Sequence, residues 1–484
     1  MGLNEKISGA ALWSIIDAVG KQVFQFVVSM ILARLLLPEE FGTIAMLGIF
    51  VGIAIALSDG GFSSALIQKK EITEKDLSSV FIFNVLISIL MASTLCVSAG
   101  WIAEYLGNNI FKPLTYLMAI NVVIVSLGSV PNALFTKELS FKILARVNIS
   151  ATIISGIFCV ILAANGFGIW SLALRTLICS LTTVALLWYF SSWLPKFSIC
   201  FSSLGSLSSF GAYLLISGLL NSVYDRINVF LIGKNYTASD AGLYARAEMT
   251  QQLPTNVLAM VLNRVAFPVF SHVNQDKSLL RDGVRKSIII LMALNIPMMV
   301  GLSVLAESVI RVVYGDKWLG SVPLLKILSL AGIFWPLHVI HLSVLRAQGH
   351  SKIFFWMDVI KKIVGVSILL YAATIGLEAI AWSMVIIAII SYFINSRYTK
   401  VFLNYSNVQQ AVDLIPYVLL SGFMASVILL VDIFLPGSGF VKLLTGMTMG
   451  VGVYVLIGYF LKLPGFVMIQ DFVKLILRES RNAK

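Results

Sequence analysis

Ser14, Asp17, Lys21 and Gln25 follow one another at helical spacing in an otherwise apolar stretch of chain. Side chains three or four residues apart share a helix face, so a hydroxyl, a carboxylate, an ammonium and an amide would form one polar stripe. A second stripe, Ser217, Asn221, Asp225 and Asn228 with Arg226 beside it, lies in another apolar stretch. The two coincide when the chain is superposed on itself, Ser217, Asn221 and Asp225 falling on Asp17, Lys21 and Gln25. Further ionisable groups sit in apolar surroundings: Arg175; Arg264 with Gln252, Asn256 and Asn263; Asp358, Lys361 and Lys362; and Asp59 within Ser58-Asp59-Gly60-Gly61. A charge at the centre of a bilayer costs about 2.5–3.5 kcal/mol on insertion scales, so such groups usually face a partner or water. Lys21, Arg175, Arg226, Arg264, Lys361 and Lys362 outnumber Asp17, Asp225 and Asp358, with Asp59 at a margin. Surplus positive charge suits an anionic ligand, and phosphate oxygens are what guanidinium forks and ammonium groups bind best. These six cations, with Gln25 and Asn221 alongside, are the candidate ligand-binding residues.

Plainer readings stand beside this one. Asp17 and Lys21 at i, i+4 would also make a structural ion pair. Asp225 and Arg226 are adjacent and point apart on a helix, so they do not neutralise each other face to face. Arg175 and Arg264 could snorkel to an interface. Of Lys361 and Lys362, at least one should face the interior. His338 and His341 could bind a metal or relay a proton, but no acidic or Cys partner lies nearby in sequence, which favours buried polar packing. Cys96, Cys159, Cys179 and Cys200 show no paired spacing and read as small hydrophobes.

The elements that must position these groups are membrane spans. Of 484 residues, 58% are hydrophobic and 12% charged, against about 25% charged in soluble domains; the mean hydropathy is +0.93. Apolar stretches long enough to cross a bilayer, roughly twenty residues, recur near 9–36, 42–67, 77–100, 112–135, 144–164, 168–190, 207–232, 243–270, 284–306, 322–345, 353–374, 378–399, 413–435 and 440–462. The fold class is therefore an all-α membrane protein of about fourteen transmembrane helices. The first stretch runs into Arg34 and Pro38, beyond the length of a cleavable signal. Basic residues gather in alternate loops, such as Lys69, Lys70 and Lys75; Lys137, Lys142 and Arg146; and Lys277, Arg281, Arg285 and Lys286. That bias puts both termini in the cytoplasm. It also accounts for most of the net charge of +12 without nucleic acid.

The chain repeats itself. Leu37-Pro38-Glu39-Glu40-Phe41-Gly42-Thr43-Ile44-Ala45 is answered by Thr237-Ala238-Ser239-Asp240-Ala241-Gly242-Leu243-Tyr244-Ala245, an acidic turn leading into Gly and a helix start. Gly166-Phe167-Gly168-Ile169-Trp170 before span six parallels Gly376-Leu377-Glu378-Ala379-Ile380 before span twelve. An even-numbered repeat enters the membrane the same way up, and parallel bundles of this kind usually hold substrate between them. The expected organisation is an N-terminal six-helix lobe (1–195), a C-terminal six-helix lobe (196–405), two added helices (406–463) and an amphipathic cytoplasmic tail (464–484), with a Ser-rich linker at Ser191–Ser209. No Gly-rich phosphate loop, metal-ligand spacing or extramembrane catalytic domain is evident. Transport is therefore not expected to run on ATP hydrolysed by this chain, and no cofactor or metal is called for.

The run Ile31-Leu32-Ala33-Arg34-Leu35-Leu36-Leu37-Pro38-Glu39-Glu40-Phe41-Gly42, followed by Leu57-Ser58-Asp59-Gly60-Gly61-Phe62 through Gln68, resembles the polysaccharide-transporter branch of the MOP exporter superfamily, the lipid-linked oligosaccharide flippases of O-antigen and colanic-acid-type exopolysaccharide pathways. The resemblance extends over the whole chain in length, span count and six-plus-six repeat. It implies a bacterial inner-membrane flippase that moves an undecaprenyl-diphosphate-linked repeat unit from the cytoplasmic to the periplasmic face by alternating access. It further implies a cationic cavity, coupling to an ion gradient or membrane potential, and a polysaccharide polymerase and chain-length regulator as partners beside the glycan and the lipid bilayer. By analogy, Asp17, Asp59, Asp225 and Asp358 become the candidates for ion coupling. The competing readings are a cation-coupled multidrug exporter of the same superfamily and, from another class, a membrane glycan polymerase or ligase. The first needs no cationic cleft or spans thirteen and fourteen, and the second needs a larger outer loop than any seen here.

Overall fold

A computed structural model describes residues 20–196, 198–272, 276–349, 351–435, 437–471 and 474. Among the described residues every regular element is helical. They form two compact units, one ending at Gly242 and one beginning at Leu243.

In the first unit, α1 (20–35) leads into α2 (Pro38–Asp59). Pro38 sits in the first turn, where its missing N–H loses nothing. The Leu37 amide instead donates to Glu40 Oε2 at 2.8 Å. Expected span two, 42–67, is not one helix. It breaks at Gly60 and Gly61, whose φ values of 57° and 75° favour glycine, and resumes as the short α3 (Phe62–Gln68). A Cβ at Gly61 would overlap the Gly211 carbonyl oxygen. Helix α4 (Glu74–Leu106) starts from a reciprocal cap, with the Asp76 amide on Thr73 Oγ1 at 3.2 Å and the Thr73 amide on Asp76 Oδ2 at 2.9 Å. Lys69 adds an ion pair to Asp76 at 2.8 Å. Then come α5 (Phe111–Leu127), α6 (Ser129–Lys137), α7 (Phe141–Ala164), α8 (Ile169–Phe190) and α9 (Phe201–Asn235). The Ser-rich connection before α9 is tied to the start of α4: the amides of Lys196 and Cys200 donate to Ser78 and Ser79 at 3.1 and 2.8 Å. Trp193 stacks on Trp188 there. Hydrogen bonds from Ser202 and then Ser203 push the exposed-side Cys200 thiol down to about 7.

Helix α10 (Ala238–His272) begins in the first unit and continues in the second. The second unit proceeds through α11 (Lys277–Val304), α12 (Ala306–Val313), α13 (Ser321–Gly332), α14 (Trp335–Ala347), α15 (Ser351–Ala372), α16 (Leu377–Leu403), α17 (Asn407–Phe434) and α18 (Gly439–Phe460). The tail opens as a helix whose Gly465 amide donates to the Tyr417 hydroxyl at 2.7 Å. Eleven helices among the described residues are long and apolar enough to cross a membrane. The other expected spans, at 20–35, Ala238–His272 and Ser351–Ala372, are helical where described. The last two carry more charge, including Arg246 and Glu248 in one and Asp358, Lys361 and Lys362 in the other.

Spans four and ten break at corresponding places, between α5 and α6 at Gly128 and between α13 and α14 at Ile333–Phe334. A broken helix frees carbonyls, and in a bilayer these need internal donors. Trp188 Nε1 donates to the Leu127 carbonyl at 3.0 Å in the first break. In the second, fully buried Asn295 donates through Nδ2 to the carbonyls of Gly332 and Ile333 at 3.1 and 3.0 Å. Asn295→Leu should therefore lower stability by about 2 kcal/mol, the usual penalty for orphaning buried acceptors, read as a lower melting temperature in detergent. An unchanged melting temperature would mean the break does not depend on this side chain. Gly168 and Gly376, which lie in the two matched segments but not at matched positions, are the N-caps of α8 and α16.

Candidate functional site

The first unit contains a cavity of about 710 Å³ lined by polar and apolar side chains. Asp59, at the C-terminal end of α2, stands at its wall with Ser63 from α3, whose hydroxyl donates to the Asp59 carboxylate. The break at Gly60–Gly61 is what turns these two side chains toward the same space. From α4 comes Asn84, fully buried, whose Nδ2 donates to Ser129 Oγ at 3.2 Å across the broken span four. Its Oδ1 has no hydrogen-bond partner among the described residues. Ser126, Ser129 and Asn132 line the cavity from either side of the Gly128 break, and Asn148 enters from α7. Ser180 and Thr183 of α8, with Cys179, and Ser217 and Asn221 of α9 close the circuit. Apolar patches from Val122, Val184 and Leu214 fill the gaps. Among the described residues the lining has one carboxylate and no Lys or Arg. From the described residues, this chamber is lined by amides, hydroxyls and apolar side chains.

Arg226 is held elsewhere in the same unit. Its guanidinium folds back on Ser222, 3.3 Å from the hydroxyl and 3.4 Å from the carbonyl. It lies along Gly48 and Gly52 of α2, where a Cβ on Gly52 would come within 3.1 Å of Nη1 and one on Gly48 within 3.4 Å of Nε. Two glycines a turn apart leave a groove that accommodates a guanidinium without contact from their own side chains. The group remains exposed.

Of the residues singled out in sequence, Asp59, Asn221 and Ser217 meet in the cavity. Lys21 is exposed on α1, Gln25 half-buried there, Arg175 half-buried on α8, and Asp225 exposed on α9; none lines the cavity. Ser14, Asp17 and the Arg264 side chain lie outside the described residues. In the second unit, Lys362 pairs with Asp358 at 2.7 Å, and Lys361 is half-buried beside them. His341, fully buried, shares a hydrogen bond with Thr399 at 2.8 Å, and His338 approaches Asn395 at 3.3 Å. That is polar packing, and no group of three or more His, Cys, Asp or Glu able to hold a metal occurs among the described residues. The charge-led reading passed over Asn84, Asn132, Asn148, Ser129, Ser180 and Thr183. A signal was present: Ser126, Ser129 and Asn132, and Ser180 with Thr183, recur at helical spacing in apolar spans.

Residues 31–323 match the family described as polysaccharide biosynthesis protein. Teichuronic acid biosynthesis protein TuaB of Bacillus subtilis (strain 168) is 27% identical over 395 residues, covering 81% of this chain and 82% of that protein. Succinoglycan biosynthesis transport protein ExoT of Rhizobium meliloti (strain 1021) is 28% identical over 380 residues, covering 78% and 77%. Lipopolysaccharide biosynthesis protein WzxC of Escherichia coli (strain K12) is 27% identical over 367 residues, covering 75% and 74%. Among solved structures, lipid II flippase MurJ in an inward closed conformation superposes with a TM-score of 0.79 at 17% identity, covering 96% of this chain and 99% of that one. An inward-facing multidrug resistance transporter of the MATE family and MOP superfamily gives 0.61 at 15% identity, covering 81% and 99%. At these identities the structural likeness speaks to the fold alone.

Proposed function

Because the chain belongs to the polysaccharide biosynthesis protein family, we propose that it is a flippase for undecaprenyl-diphosphate-linked oligosaccharide repeat units. It is a multi-pass membrane transporter rather than an enzyme. The proposed direction is from the cytoplasmic to the periplasmic face of a bacterial inner membrane, with both termini cytoplasmic. The proposed mechanism is alternating access, with 1–195 and 196–405 as the repeated lobes and an ion gradient or membrane potential as the driving force. Asp17, Asp59, Asp225 and Asp358 are the proposed coupling groups. Lys21, Arg175, Arg226, Arg264, Lys361 and Lys362, with Gln25 and Asn221, are the proposed ligand contacts. A polysaccharide polymerase and a chain-length regulator are the proposed protein partners.

The observation that carries this reading is the partly polar cavity walled by membrane-spanning helices. Lining such a space with amides, hydroxyls and a carboxylate is unfavourable at membrane depth unless a polar solute or water enters it. The names of the relatives ExoT, a transport protein, and WzxC support a glycan-linked cargo. The multidrug reading draws on the MATE likeness, which leaves more of this chain unmatched than MurJ does.

The test is reconstitution. Liposomes that carry the protein and an undecaprenyl-diphosphate oligosaccharide, labelled on the glycan, should move the label between leaflets faster than protein-free liposomes. Unchanged label movement, with export of a cationic dye instead, would replace the flippase with a drug exporter.

A further inference from the structure

We infer that the cavity of the first unit is a subsite for uncharged sugar residues of the cargo, and that it rejects the diphosphate and acidic sugars. The inference rests on the flippase reading and says which part of the cargo this cavity takes. Its chemistry is the argument. Asn84 lines the space, and its buried Oδ1 has no hydrogen-bond partner among the described residues. Buried acceptors of this kind are rarely left so without a ligand or ordered water to satisfy them. Asn132, Asn148 and Asn221 offer amides that both donate and accept, and Ser180 and Thr183 offer hydroxyls. A sugar ring presents the same dual-role groups around its rim and C–H faces to the apolar patches of Val122 and Leu214.

The charge balance sets the selectivity. Among the described residues, Asp59 is the one carboxylate of the lining and no Lys or Arg accompanies it. A carboxylate can accept from sugar hydroxyls, whereas a phosphate or uronate brought beside it is repelled in a medium of low dielectric. At about 710 Å³ the cavity falls within the range of roughly 300–1,000 Å³ that holds drug-sized ligands, room for a short oligosaccharide.

Cys179, half-exposed and on the cavity wall, supplies a reporter. In a Cys96→Ser, Cys159→Ala, Cys200→Ser background, which also removes the more acidic Cys200 thiol, the full-length protein would be treated with aminoethyl or sulfonatoethyl methanethiosulfonate. The cationic reagent should label Cys179 about tenfold faster than the anionic one, as expected in a cavity whose described lining carries a carboxylate and no Lys or Arg. Maltotriose or chitotriose should slow labelling about threefold or more, taking weak millimolar binding, while tri-galacturonate should leave it unchanged. Asn84→Leu should remove the protection; if that variant does not fold, Thr183→Val should weaken it. The inference is overturned if tri-galacturonate protects as well as the neutral sugars, or if neither neutral sugar protects. Failure here with label movement intact in liposomes sinks the subsite and leaves the flippase. Failure of label movement sinks the flippase whatever Cys179 reports.

Discussion

Gly42→Leu and Gly242→Leu should each abolish accumulation of folded protein. A Cβ on Gly42 would overlap the Ala238 carbonyl oxygen and lie 2.7 Å from the Gly242 amide nitrogen; one on Gly242 would overlap the Pro38 carbonyl oxygen and lie 3.1 Å from the Gly42 nitrogen. The obstacles are backbone atoms on both sides, so no side chain can turn aside. Overpacking against movable side chains costs about 1–3 kcal/mol, and here the N-terminal turn of α2 or α10 would itself have to move. Even Ala should be poorly tolerated. The measurement is monodisperse yield of a fluorescent fusion on size exclusion, with Gly100→Ala as control. Gly100 lies within α4 and has nothing within 4 Å of a Cβ, so that change should be neutral or raise stability by up to about 1 kcal/mol through helix propensity. Wild-type yield from Gly42→Leu would show that the close approach of the two turns is not needed for the fold.

These glycines show how far sequence could carry the reading. Gly42 and Gly242 were visible as matched positions of a repeat, each after an acidic turn. Their physical role, mutual backbone contact inside the first unit, required coordinates, because a repeat in sequence does not say what a residue touches. The helices themselves were legible, since apolar runs of bilayer length leave little else for the backbone to do. The breaks were less so. Ser58-Asp59-Gly60-Gly61 carried both the turn residues and the acid, yet the apolar run continues through Phe62–Ile67 and reads as one span. The break in span ten carries only Gly332 and Pro336 on either side, and Asn295, distant in sequence, supplies its donors.

The cavity was half legible for a related reason. Attention to charge finds groups that are expensive in lipid, and it found Asp59 with its neighbours Asn221 and Ser217 on α9. It does not find Asn84 or Thr183, whose types are common in spans as helix-to-helix hydrogen-bonding groups. Only their convergence from different helices separates the two uses. The expectation of surplus positive charge likewise rested on counting along the chain. In the first unit the cations Lys21, Arg175 and Arg226 stand apart from the cavity lining, so a count along the chain did not say which of them share a space.

Arg226→Ala should lower the rate of lipid-linked glycan movement by about 100-fold per folded molecule, with little change in the amount folded. A charge-assisted hydrogen bond contributes about 1.5–3 kcal/mol, and each 1.4 kcal/mol is about tenfold in binding, so losing a forked contact to a diphosphate accounts for that size of effect. Arg226→Lys keeps the charge but not the planar fork and should recover only part of the loss, to about tenfold below wild type. The bland explanation is that Arg226 merely braces α9 on α2 through Ser222 and the Gly48–Gly52 groove. It predicts that activity and melting temperature fall together and that Lys, which can also lie in the groove, restores both. Gly52→Leu sharpens the comparison. Its Cβ would stand 2.5 Å from Ser222 Oγ and 3.1 Å from the guanidinium Nη1, so the larger side chain displaces Arg226 while leaving it in the protein. If the guanidinium must rest in that groove to meet its anion, Gly52→Leu should reproduce most of the Arg226→Ala defect. Wild-type movement in Arg226→Ala would remove the residue from the ligand path and pass the role of anion contact to Lys21, Arg175 or the basic positions of the second unit.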